Sequence, residues 1–221
     1  MGNTLTIFDL DNTLIQGDSS TVWSQFMVRE GLATQKGYLA REARLMAGYD
    51  RGEMNIADYV ALIQAPLAGI PKSDVDALVA RCVREAILPR VYPQAWELIR
   101  RLRAEGEQML IISASVSLLV QAVAAALEID QALGIDVEMV DGGYSGVIAG
   151  IPSYQQGKVA RLAQWREAHP QYDGEVTFYT DSINDLPLCL HADRVRLVNP
   201  CPQLQAAGAG YGWPVLSWRL E

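Results

Sequence analysis

Four short apolar runs punctuate this chain: "LTIF" (5–8), "MLII" (109–112), "VTFYT" (176–180) and "VRLV" (195–198). Segments that read as helix lie between them. Runs of four or five residues with little polar alternation mark strands buried on both faces. Strands that alternate with helices in this way imply a parallel sheet covered by helices on both sides, an α/β fold. With 221 residues, the chain is long enough for one substantial core, or one core carrying a smaller inserted domain.

The spacing of the runs locates the insertion. Residues 18–88 read as helical throughout, with no strand pattern among them. Asp18, Ser19 and Ser20 supply N-cap candidates before "TVWSQFMVREG", and Gly31 is a stop. Further helices are expected near 35–48, 56–67 and 73–87, the last opening on Ser73-Asp74-Val75-Asp76, a cap residue with early acids. The pattern changes at Pro89 and Pro93, which sets the boundaries: an α/β core of 1–15 and 89–221, and a helical unit of 16–88. A helix over 93–104 then ends near Gly106, and others follow Ser117, Lys158 and Asp185. A strand-rich section near 135–149 carries the hairpin-like turn "DGGYSG". The uncharged stretch 109–127 approaches the length of a membrane span, but Ser113, Ser115, Ser117 and Gln121 interrupt it, so it reads as core.

Composition narrows the function. A net charge of −8 argues against nucleic acid as a partner, because phosphate backbones need clustered Lys and Arg. It leaves room for a small phosphorylated substrate, since one metal ion and a few local cations can dominate the field inside a cleft. Cys82, Cys189 and Cys201 are odd in number and lack metal-ligand spacing, which points to free thiols in a cytoplasmic protein. No basic region followed by an apolar stretch opens the chain, so no export signal is expected. The absence of an anchor or a basic amphipathic helix argues against a membrane partner.

Four elements carry chemistry, three of them just beyond an expected strand, where ligands bind in open parallel sheets. The first is "FDLDNTL" (8–14), whose Asp9 and Asp11 flank one apolar residue. Paired carboxylates let one attack while the other handles protons, and Thr13 is a hydrogen-bond donor for Asp9 or a phosphate oxygen. A calcium loop is the main rival, but Leu14 stands where that loop needs glycine. The second element is Ser113, directly after the strand, placed either to bind a phosphate oxygen or simply to cap a helix. The third is Lys158 in "GKVARL". A lysine is better placed at a helix end than at its start, so one here implies an anionic neighbour. The fourth is "YTDSINDLP" (179–187), where Asp181 and Asp185 allow one carboxylate to reach a hard cation while the other orients its surroundings.

In this order (DxDxT, a strand-end Ser, a Lys, then DSxxD) the motifs resemble those of the haloacid dehalogenase superfamily across nearly the whole chain. The helical insertion after the first motif resembles the cap of its phosphoserine-phosphatase-like branch. "IISAS" and "YTDSINDLPL" look similar to segments of bacterial histidinol-phosphate and phosphoserine phosphatases. The resemblance implies a Rossmann-like core with a helical-bundle cap, and an enzyme of small phosphomonoesters that is a monomer or homodimer. It implies Asp9 as a nucleophile forming an aspartyl-phosphate, with Asp11 as general acid and then base. Mg²⁺ is expected on Asp9, the Asp11 main-chain carbonyl and Asp181, with Asp185 steadying Lys158 and the metal shell. Ser113 and Lys158 are expected on phosphoryl oxygens, with Thr13 and Asn184 in support. In that branch a cap acid reads a substrate ammonium and a cap arginine its carboxylate. Asp18 occupies roughly the acid's place, but "IADYVALIQAPLAG" (56–69) holds no basic residue. The expected substrate is therefore an amino-alcohol phosphate without a carboxylate, such as histidinol phosphate. Phosphoserine hydrolysis, phosphotransfer through the same intermediate, and a non-catalytic phospho-ligand binder are the alternatives.

Overall fold

Strand β1 (Leu5–Phe8) opens the fold in the computed structural model, which describes residues 3–220. The four helices of the insertion follow: α1 (Ser19–Arg29), α2 (Tyr38–Asp50), α3 (Ile56–Gln64) and α4 (Lys72–Cys82). Then come α5 (Pro93–Ala104), β2 (Gln108–Val116), α6 (Ser117–Ala126), β3 (Gln131–Ile135), β4 (Val137–Val140) and β5 (Gly143–Ile148). The chain closes with α7 (Gln156–Ala168), β6 (Val176–Thr180), α8 (Leu186–His191), β7 (Arg194–Val198), α9 (Pro202–Ala209) and β8 (Val215–Leu216).

Six strands form one parallel sheet in the order β3-β2-β1-β6-β7-β8. From central β1 the chain builds outward to β2 and β3 on one side, then returns to add β6, β7 and β8 on the other. The crevice at the carboxyl ends of β1 and β6 is therefore the topological switch point, where such sheets bind ligands. Alternation along each strand sends neighbours to opposite faces. Ile7, Leu110, Phe178 and Leu197 pack with Leu162, Trp165 and Leu188 of α7 and α8. Phe8, Ile111, Tyr179 and Val198 join the cluster that contains Leu98 of α5, Leu119 of α6, and Trp23, Val60 and Val75 of the inserted helices. The insertion thus shares one continuous apolar core with that sheet face. Each fully buried aliphatic or aromatic side chain contributes about 1.5–3 kcal/mol.

Local chemistry explains most element ends. Asp18 caps α1, accepting from the Thr21 N–H at 2.7 Å, and Gly31 (φ 73°) follows its end. Asn55 caps α3, accepting from the N–H groups of Ala57 and Asp58. Asp141 (φ 51°) and Gly142 (φ 78°) join β4 to β5, the paired positive φ that a tight hairpin turn needs.

Several expectations are corrected. Helix α4 begins at Lys72 after Pro71, so Ser73 is not its cap. Proline at that point already presets the backbone, and no side-chain cap bond forms. Strand β2 runs on to Val116, so Ser113 lies within it; the ladder to β1 ends at Ile111 and leaves Ser113 beyond the pairing. The β4–β5 hairpin packs on the insertion: Lys72 N–H donates to Gly142 O at 3.2 Å, and Tyr144 OH donates to Asp76 at 3.2 Å. Strand β3, helix α9 and strand β8 had no clear signal. Residues 109–127 form β2 and α6, and among the described residues no helix is long and apolar enough to cross a membrane.

Candidate active site

Asp9 follows β1 directly, and its N–H donates to Tyr179 O at 2.9 Å, so the backbone leaves the sheet only after this residue. A tight turn then closes with Leu14 N–H donating to Leu10 O at 2.9 Å. Asn12 takes a left-handed conformation there (φ 55°), with its Oδ1 accepting from Gly17 N–H. That turn directs the two carboxylates of the motif to different partners. Asp9 Oδ1 accepts from Lys158 Nζ at 2.8 Å, while Asp11 accepts from Ser115 Oγ at 3.0 Å and from Ser113 Oγ at 3.4 Å.

Lys158 comes from the first turn of α7 and is fully buried. The loop before it is unusually tight. Gln155 adopts φ 50°, ψ −123°, a conformation uncommon for a residue with a side chain. A Cβ on Gly157 would lie 1.9 Å from Pro152 O, so only glycine fits. Ser153 ties the loop to the sheet by donating to Ser113 O at 2.6 Å. Lys158 Nζ is also 2.7 Å from Asp185 Oδ1, an ion-pair contact that lies off the hydrogen-bond direction. The other Asp185 oxygen accepts from Thr180 Oγ1 at 2.6 Å. Asp181, just past β6, accepts from Thr13 Oγ1 at 3.3 Å.

Four carboxylates, Asp9, Asp11, Asp181 and Asp185, thus gather round one lysine. Burial pushes the Asp9 carboxyl up to about 7, with Lys158 opposing and Asp185 and Asp11 adding to the rise. Burial also raises Asp11, opposed by the bonds from Ser19 and Ser115. Asp181 is held well above the carboxylate range by burial and by the charges of Asp9 and Asp185. Burial works against the Lys158 ammonium, but Asp185 and Asp9 outweigh it and keep the lysine above its usual range. Fully ionised, these four carboxyls would carry more negative charge than Lys158 offsets. Its donors are hard oxygens, the type Mg²⁺ takes, and Mg²⁺ usually keeps several waters. Among the described residues no three Asp, Glu, His or Cys side chains form a ready-made metal cage. The expected set differs from such a cage: two side chains, Asp9 and Asp181, and one main-chain carbonyl.

A cavity of about 390 Å³ opens above Asp11 and Asp181. Asp18 and Asp50 also line it, together with Thr21 and Tyr49, and among the described residues no Lys or Arg does. Burial and the nearby Asp11 hold the Asp18 carboxyl well above its ordinary range, against the pull of the Thr21 N–H. Asn184, expected near phosphate, is committed elsewhere: its Nδ2 donates to Tyr49 O at 2.8 Å, and its Oδ1 accepts from Gln155 Nε2 at 3.2 Å. It joins the core to the end of α2. Thr13 likewise donates to Asp181 in place of Asp9. Sequence reasoning passed over Ser115, Tyr49 and Gln155. For Ser115 a signal existed, since it lies two residues from Ser113 and so shares its strand face. Tyr49 and Gln155 had none.

The model of the haloacid dehalogenase-like hydrolases matches residues 6–189. The chain belongs to that family. A histidinol-phosphatase of Neisseria meningitidis is 33% identical over 97% of this chain and 99% of its own length. A phosphoserine phosphatase of Mycobacterium tuberculosis is 27% identical over 96% of this chain and 70% of its own. A crystal structure of a Bordetella pertussis protein of unknown function superposes with a TM-score of 0.88 at 31% identity, covering 98% of this chain and 99% of that one. A phosphoserine phosphatase structure representing a phospho-aspartyl intermediate has a TM-score of 0.66 at 17% identity, covering 93% and 91%, and shares the fold. The α/β core of this family, with helices inserted after its first strand, is what the motif order implied. The chain is a phosphatase of this family, acting on a small phosphorylated substrate.

Proposed function

We propose that this phosphatase hydrolyses an amino-alcohol phosphate lacking a carboxylate, such as histidinol phosphate, through an aspartyl-phosphate on Asp9. The observation that carries the chemistry is the gathering of Asp9, Asp11, Asp181 and Asp185 at the switch point of the sheet, with buried Lys158 paired to Asp9 and Asp185. An Asp9 oxygen attacks phosphorus as the bond to the leaving oxygen breaks, and the Asp11 carboxyl gives that oxygen its proton. The resulting Asp11 carboxylate then takes a proton from water, whose oxygen attacks the phosphorus and releases inorganic phosphate with Asp9 restored. Lys158 and Ser113 hold phosphoryl oxygens, and Asp185 holds Lys158. Asp9, Asp181 and the Asp11 carbonyl would hold Mg²⁺, which when bound supplies positive charge to the transferring phosphoryl group.

For the substrate, the absence of any basic residue from the cavity lining supports the reading. A buried substrate carboxylate would stand there uncompensated beside Asp18, whereas an ammonium would be matched. The 33% identity to a histidinol-phosphatase agrees with that choice. Free cysteines suit a reducing compartment such as the cytoplasm. The inserted helices act as a cap that excludes water during the first transfer. The test is phosphate release from a panel of metabolite phosphomonoesters, with Mg²⁺ and with chelator, for wild type and Asp9→Asn. Mg²⁺-dependent release that Asp9→Asn abolishes is expected, with histidinol phosphate ahead of phosphoserine. A wide preference for phosphoserine would overturn the substrate assignment, and activity in Asp9→Asn the nucleophile.

A further inference from the structure

Asp11 is gripped from both sides of its carboxyl. The Ser19 main-chain N–H donates to Oδ1 at 2.6 Å, and Ser115 Oγ donates to Oδ2 at 3.0 Å. Ser115 is only 2% exposed, and its hydroxyl lies 2.9 Å from Ser20 Oγ and 3.2 Å from Ser19 Oγ. Ser20 Oγ in turn meets Tyr59 OH, and both residues are buried. Each hydroxyl has one proton to give, and Ser115 gives its own to Asp11 Oδ2. The bonds therefore run one way: Tyr59 donates to Ser20, Ser20 to Ser115, and Ser115 to Asp11. Hydrogen bonds aligned in one direction polarise and strengthen one another.

The chain crosses between two parts of the fold. Ser115 belongs to β2 of the sheet, whereas Ser20 and Tyr59 belong to α1 and α3 of the insertion. Lifting those helices from the sheet breaks the chain between Ser20 and Ser115 and releases the Ser19 N–H from Asp11. With the helices seated, the neighbouring hydroxyl protons point at Asp11, so none of these groups competes to receive the proton that Asp11 must deliver.

We infer that Ser115, Ser20 and Tyr59 are positioning residues whose hydroxyl chain fixes the Asp11 carboxyl for leaving-group protonation only while the inserted helices are seated. The inference rests on the reading of Asp9 as nucleophile and Asp11 as acid. It makes a demand that a general packing role does not. An alkoxide leaving group needs a proton, whereas 4-nitrophenolate departs without one. Loss of the chain must therefore harm alkyl phosphates more than aryl ones.

The experiment measures kcat/KM, which reports the first transfer to Asp9, for wild type, Ser115→Ala, Tyr59→Phe and Asp9→Asn. The substrates are 4-nitrophenyl phosphate and the alkyl phosphomonoester that wild type hydrolyses fastest. Melting curves check that each variant is folded, and Tyr59→Phe, which removes one oxygen, covers the case of Ser115→Ala failing to fold. Expected is an extra loss of about tenfold on the alkyl substrate for Ser115→Ala, part of the roughly 10²–10⁴-fold that a positioned acid supplies. Tyr59→Phe shows the same split at smaller size. Equal losses on both substrates, or none, while Asp9→Asn is inactive, would overturn the positioning chain alone. Activity retained in Asp9→Asn would overturn the nucleophile reading, and the chain with it.

Discussion

Replacing Lys158 by methionine keeps most of the side-chain volume but removes the one cation among four carboxylates. The ammonium lies 2.8 Å from Asp9 and 2.7 Å from Asp185, and all three side chains are at most 4% exposed. At an effective dielectric of about 20, each contact is worth roughly 6 kcal/mol of Coulomb attraction. Desolvating the ammonium costs several kcal/mol in return, and stripping one partner from a buried pair typically costs about 3–5 kcal/mol net. Two carboxylates lose their partner here, so the upper end, about 5 kcal/mol, is expected at pH 8. The sign with pH follows from the direction of the shifts. A carboxyl whose folded value lies above its unfolded one contributes stability below the unfolded value and loses it as pH rises. Burial already raises Asp9 to about 7 with the lysine present, and the variant raises it further. At pH 5 the Asp9 carboxyl of the variant is protonated, and the cost of leaving it neutral and under-bonded is about 1–3 kcal/mol. Urea unfolding followed by tryptophan fluorescence, in chelator at pH 5 and pH 8, reads both values. A loss below about 1 kcal/mol at pH 8, or one that grows toward pH 5, would refute the reasoning that the lysine offsets buried charge.

Without metal, the raised Asp9 carboxyl costs the wild type stability on the order of 4 kcal/mol at most as pH rises from about 4 to 7, by linkage. In the proposed site Mg²⁺ would bind the ionised carboxylates, so the increase in melting temperature it produces over chelator should be larger at pH 8 than at pH 5; a larger increase at pH 5 would contradict the proposed metal ligands. Gly157→Ala places a methyl 1.9 Å from Pro152 O and must shift the loop that delivers Lys158. Phosphatase activity should fall at least tenfold while the melting temperature drops by about 2–12 °C, matching about 1–3 kcal/mol of overpacking; unchanged kcat/KM would show that the loop does not set the lysine's position.

Much of the fold was legible because its determinants are local. Branched runs such as "LTIF" and "VTFYT" show as strands by their own composition, whereas Asp18 caps α1 and the "DGGYSG" turn closes a hairpin through bonds within a few residues. The candidate site residues were legible for a related reason. Asp9 and Asp181 sit just past strands, and in a parallel sheet the strand ends all lie on one side. Tertiary structure alone decided which partner each group took. Lys158 reaches Asp9 across 149 positions, Thr13 reaches Asp181 across 168, and Ser115 reaches Asp11 across 104. Asn184 was drawn to the Tyr49 carbonyl because the end of α2 lies over the crevice, and nothing in "DSIND" encodes that helix. Hydrogen-bond partners so far apart leave no periodic trace in the chain. They are settled when the helices of the insertion and the sheet bury their common apolar core.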